Sequence, residues 1–153
     1  MQSQVDLNCA MESEVLGELL FITAADYTKS SEQKFKWQLL AKLETQTLER
    51  LQFYLQQSGQ TAYVKSHIKL QAKISGIAMA KLPWKLAMYL LKQGTNPYIK
   101  VFERMDHKAD RPSQDFFKYL LAHEYAIAEF ARLELQGESI KSIKLLFDLI
   151  EKN

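Results

Sequence analysis

Three polar side chains stand where helical periodicity calls for apolar ones. Glu44 lies four residues after Leu40 and four before Leu48. Glu18 lies three after Val15 and four before Ile22, and His123 lies three after Leu120 and four before Ile127. Glu124, next to His123, falls between Leu121 and Ala128 and is within reach of the same face. An inward carboxylate is costly unless it is paired or ligates a metal. Carboxylate oxygen and imidazole nitrogen together suit iron, manganese or zinc, and inward polar groups on three helices are what a metal site inside a helical bundle requires. Glu18, Glu44, His123 and Glu124 are therefore the candidate metal ligands. The same residues also suit a dry polar network, with Glu18 satisfying His123 across the core and Glu44 on the flank beside Gln46 and Arg50. Both readings stand at this stage.

Other groupings carry less. Glu103, Asp106 and His107 share one helical face, where a surface chelate or a solvated face would look alike. His67 reads as structural or exposed. Lys65, Lys69, Lys73, Lys81 and Lys85 give the middle of the chain a basic tilt without a groove-reading motif, so a solvated face is expected there. Trp84, Tyr89, Tyr98 and Phe102 surround proline breaks and read as core packing or as the lining of an apolar pocket. No Gly-rich phosphate loop, Cys pair or nucleophile elbow occurs.

The elements that must hold these residues read as helices. Periodicity predicts a first helix over 12–29 with Val15, Leu19, Ile22 and Ala25 on one face. Ser30 and Gln33 form a capping-box pattern that starts a second helix, running to 57 and stopped at Gly59. A helix is expected over 62–81 and broken at Pro83, another over 84–93, a turn over 94–97, and a short helix over 97–108. The strongest stripe, Phe116, Leu120, His123, Ile127, Phe130 and Glu134, predicts a helix over 113–136, and 139–151 forms a last amphipathic one.

The composition agrees. The chain has 153 residues, and with only 5 Gly and 3 Pro it is too poor in turn residues for a loop-rich β fold. A single domain over 1–153 suits this length, with enough apolar content for a core. The 20 basic and 18 acidic residues leave a formal +2, too little to imply a nucleic-acid partner. A lone Cys9 fits a reducing compartment. Residues 1–11 carry no signal-peptide pattern and no apolar run reaches membrane-spanning length, so a cytoplasmic protein without a membrane partner is expected.

The stretch Leu43-Glu44-Thr45-Gln46-Thr47-Leu48-Glu49-Arg50-Leu51 resembles the second helix of ferritin-like proteins. His123-Glu124-Tyr125-Ala126-Ile127-Ala128-Glu129-Phe130, with Glu134 and Gly137 beyond, resembles their fourth. The similarity is nearest to bacterial ferritin-like proteins of unknown function. It implies an all-α four-helix bundle, with hairpins over 12–57 and 97–136, extra helices in a long crossover, and a C-terminal helix. In metal-bearing relatives two helices each supply one Glu and the other two each supply Glu-x-x-His. Glu18 matches the first-helix Glu and Glu44 the Glu of the second. Thr47 stands where a His would be, Leu120 where a Glu would be, and Glu103 is the one plausible third-helix carboxylate. The resemblance thus implies a reduced centre: a binding or structural bundle without a complete di-iron site, or an iron- or manganese-dependent oxidoreductase using Glu18, Glu44 and His123, with or without Glu124. A helical adaptor docking through 139–151 is a third reading, and a homodimer is an expected assembly.

Overall fold

The computed structural model describes residues 1–152, and these form six helices and, among the described residues, no strand. α1 spans Gln4–Tyr27, α2 Ser31–Ser58, α3 Ile68–Lys81, α4 Trp84–Lys108, α5 Gln114–Leu135 and α6 Ser139–Lys152. The all-α expectation holds. Among the described residues no helix is long and apolar enough to cross a membrane.

Local chemistry sets the ends. Ser30 Oγ accepts the Gln33 N–H at 3.3 Å and opens α2. Gly59 closes it in the left-handed region (φ 66°), and Gln60 N–H donates to the Leu55 carbonyl at 3.1 Å. Three boundaries differ from expectation. α1 begins eight residues earlier than read from periodicity, capped by Ser3, whose hydroxyl accepts the Asp6 N–H at 3.1 Å. α3 starts at Ile68 rather than at 62. The turn expected over 94–97 is instead the middle of α4. Pro97 costs that helix one backbone bond, the one to the Gln93 carbonyl. Continuous packing of α4 along α5 outweighs it.

α1 packs on α2, α3 and α4; α5 packs on α4, α6 and α2; and α6 also touches α2. α3 lies close on α1 at Gly76. A Cβ there would sit 2.6 Å from the Leu20 carbonyl oxygen and 2.7 Å from Thr23 Cβ, so only glycine permits the approach.

The buried apolar residues form two clusters. One gathers Phe21, Trp37, Leu40, Met88, Phe130 and Leu146. The other gathers Leu7, Leu51, Phe102, Met105, Phe117 and Leu120. Along α1, α2, α4 and α5 alike, the chain passes from one cluster to the other through buried polar residues: Glu14, Glu44 and Thr47, Thr95, and His123 and Glu124. A polar layer therefore crosses the middle of the core.

A second buried polar group fastens α6. Lys36 Nζ lies 2.7 Å from Glu134 Oε1 and 2.9 Å from Ser139 Oγ. Trp84 Nε1 donates to Glu134 at 2.8 Å, and Ser142 donates to its other oxygen. Burial alone would raise the Glu134 carboxyl, but Lys36, Ser142 and Trp84 together hold it below its ordinary value. Leu146 and Ile150 of α6 fill the first cluster. The apolar face expected to dock a partner is thus largely spent within the chain, with Ile140 and Phe147 left exposed.

Candidate metal centre

In the polar layer α1 contributes Glu14, α2 Glu44 and Thr47, and α5 His123. His123 Nε2 lies 3.1 Å from Glu44 Oε2 and 3.4 Å from Glu14 Oε2. One ligand atom from each of Glu14, Glu44 and His123 falls within 4.8 Å of the other two, and all three residues are buried. Neither carboxylate oxygen of Glu14 has a hydrogen-bond partner among the described residues, although the residue is fully enclosed.

The other side of the imidazole is defined by Thr47. Its hydroxyl lies 2.9 Å from the Leu43 carbonyl, which can only accept, so the hydroxyl proton points there. His123 Nδ1, 3.1 Å away, must then donate to Thr47 Oγ1. Tyr119 OH, at 3.0 Å, donates to the same oxygen. With the proton on Nδ1, the Nε2 lone pair of neutral His123 faces Glu14 and Glu44, which is the arrangement a metal-binding histidine needs.

Gly17, one turn after Glu14, makes room for Glu44. A Cβ at this position would fall 2.3 Å from Glu44 Oε1 and 2.8 Å from its Cδ. The carboxylate thus lies against bare α1 backbone.

Electrostatics follow from the burial. Burial and the Glu14 charge push the Glu44 carboxyl well up, against the pull of His123. Burial by itself would lower His123, but the Glu14 and Glu44 carboxylates overturn that and raise it well above its usual value. Glu124 is pushed up to about 8 by burial, with His123 opposing and Glu14 adding.

Of the four residues read from sequence, the structure brings Glu44 and His123 together. Glu124 is buried beside them, outside the three-ligand group, and no described residue hydrogen-bonds or ion-pairs with it. Glu18 is elsewhere: it is half-buried and accepts a hydrogen bond from Thr45 Oγ1 at 2.6 Å. The stripe through Val15, Glu18 and Ile22 lies beside the inward face of α1, and Ile22 on it is 41% exposed. The inward face carries Ala10, Glu14, Gly17, Phe21 and Ala24. Their 4, 3, 4, 3 spacing was a usable signal, but small residues and one acid do not read as an apolar stripe. Glu103 hydrogen-bonds with the Tyr125 hydroxyl, and both it and His107 are exposed.

Compared with protein-family models, with curated proteins and with solved structures, the chain gives no match.

Proposed function

We propose that this chain is a ferritin-like helical protein that binds one divalent transition-metal ion, iron or manganese, through Glu14, Glu44 and His123. The observation that carries the reading is Glu14: a fully buried carboxylate without a hydrogen-bond partner among the described residues, 3.4 Å from the Nε2 of a histidine whose other ring nitrogen is held by Thr47. A carboxylate buried in that position is stabilised by a cation beside it. Two carboxylates and one imidazole form an oxygen-rich donor set, which suits iron(II) or manganese(II) better than softer ions. The ferritin-like part is supported by the pairing of α1 with α2 and of α4 with α5, joined through a connection that contains α3.

The residues present fit one ion rather than two. Thr47 occupies a position where a second histidine would serve, and it supports His123 instead. Glu18 is turned to Thr45. A bound ion would supply Lewis-acid or one-electron chemistry. Glu14 and Glu44 would give anionic oxygens, His123 would give Nε2, and Thr47 with Tyr119 would keep the imidazole in one tautomer and orientation. Three protein donors are fewer than such ions take, which leaves positions for an exogenous ligand.

A second reading, a metal-free structural layer, draws on the His123 contacts with two carboxylates, which suit an imidazolium. Anaerobic titration of the chelator-treated protein with ferrous or manganous ion separates the two. One ion per chain is expected, lost in Glu14→Gln and in His123→Ala while the helical circular dichroism is kept. No saturable binding would leave only the structural reading.

A further inference from the structure

A cleft of about 170 Å³ opens between α1, α3 and α4 and ends on the polar layer. Its walls are mainly apolar, with Leu16, Leu20, Met79, Leu90, Leu91 and Ile127, and Ser13, Ser75, Thr95 and Tyr98 also line it. Its inner end carries Glu44 and Glu124. Two glycines shape it: Gly17 at the Glu44 end, and Gly94 on α4, where an added Cβ would meet nothing within 4 Å. Gly94 is exposed and Leu90 is 42% exposed, which places the mouth on this stretch of α4. Glu44 belongs both to the three-ligand group and to the cleft wall, so the cleft leads from the surface to that group.

We infer that this cleft binds a small neutral molecule with an apolar ring or short-chain body and one hydroxyl, the hydroxyl seated on Glu124 and Glu44. The volume matches the ~150 Å³ cavities that take a single six-membered ring. Mainly apolar walls with a few polar groups are the usual build of a small-molecule site. Glu124 is 4% exposed and lacks a hydrogen-bond partner among the described residues, which is a buried group that a ligand would satisfy. A hydroxyl can both give and take a hydrogen bond, so it pairs with either form of a carboxyl. Among the described residues the lining holds no Lys or Arg, so an anionic end group would be buried there without a cation beside it and is disfavoured.

The inference rests on the metal reading only for what the ligand would lie beside, and it is tested in metal-free protein. Cyclohexanol, cyclohexanecarboxylate and methylcyclohexane share one body and differ at one end. Each is titrated into chain carrying labelled Leu, Ile and Met methyls and followed by NMR. Cyclohexanol is expected to shift the Leu16, Leu20, Met79, Leu90, Leu91 and Ile127 methyls saturably, and the carboxylate to bind at least tenfold more weakly. Gly94→Trp, which fills open space on an exposed helix position, should weaken cyclohexanol at least tenfold with an unchanged melting temperature. Gly94→Leu, a smaller plug, should weaken it less. Glu124→Leu should reverse the preference toward methylcyclohexane. Glu14→Gln, which removes a proposed metal ligand outside the cleft, should leave cyclohexanol binding unchanged, so failure of the metal reading and failure of this one are distinguishable. Absence of saturable shifts up to the solubility limit, shifts that survive Gly94→Trp, or equal binding of all three probes would overturn the inference.

Discussion

Thr47 on α2 and His123 on α5 meet across the core with the threonine hydroxyl 3.1 Å from the imidazole Nδ1, and that hydroxyl is already committed as donor to the Leu43 carbonyl. The contact decides which ring nitrogen faces the carboxylates. Thr47→Val keeps the shape and removes the acceptor. Loss of such a supporting partner commonly costs about 10–100-fold in metal affinity. Titration of the variant with manganous ion should show a drop of this order, with about 1–3 kcal/mol lost in urea unfolding because the Nδ1–H and Tyr119 OH lose a shared acceptor. Wild-type affinity in this variant would remove Thr47 from the site.

Gly17 and Gly76 both sit in close helix contacts and should respond differently to alanine. At Gly17 the new Cβ meets the Glu44 carboxylate, the far end of a flexible side chain, which can swing aside. Gly17→Ala should therefore keep its stability within about 1 kcal/mol, helped by helix propensity, and lose metal affinity. At Gly76 the obstacle is the Leu20 backbone carbonyl and Thr23 Cβ, and neither can move alone. Gly76→Ala should lose about 1–3 kcal/mol by forcing α3 away from α1. Paired denaturant melts and metal titrations check both.

Metal-free protein should lose stability as pH rises from 5 toward 8. Glu124 ionises near 4.5 when unfolded and at about 8 when folded, so over that window the folded state holds a proton that the unfolded state has released. His123 is also raised in the fold, and its contribution is present below about 6.5 and fades as pH climbs through its folded value. The Glu44 carboxyl is raised in the fold as well, and all three terms have the same sign. Asp6 and Glu134 are lowered in the fold, and their contributions are lost only in more acidic solution. Thermal melts at pH 5, 6.5 and 8 should therefore descend, and Glu124→Gln should flatten the series. A melting temperature that rises across this window in the metal-free protein would contradict the burial of Glu124. Bound metal should oppose the fall, since its ligands bind better as protons leave.

The α6 latch should behave as a coupled pair. Lys36→Met leaves Glu134 buried with only Trp84 and Ser142 as donors, and about 3–5 kcal/mol of destabilisation is expected. Lys36→Met combined with Glu134→Leu should cost less than Lys36→Met alone, because no unpaired charge remains. Urea unfolding of the single and double variants measures the coupling. Additive losses would mean that the pair is not coupled.

Much of this molecule was legible in the residue order. Ser30 with Gln33, Gly59 and Gly137 marked helix ends by chemistry confined to one turn, and those boundaries appear within a residue or so in α2, α5 and α6. Glu44 and His123 were visible because each interrupts a stripe of large apolar residues, so the period itself pointed them inward. What tertiary packing decided lies where the local signal is weak or shared. Glu14 rather than Glu18 faces the core because α1 meets its neighbours through Ala10, Gly17 and Ala24, small residues that admit close approach and leave little trace in a hydrophobic pattern. α4 runs through Gly94 and Pro97 because its contacts along α5 outweigh one missing backbone bond. The pairing of Thr47 with His123, and of Gly17 with the Glu44 carboxylate, joins residues far apart in the chain, and only the packed helices set those distances.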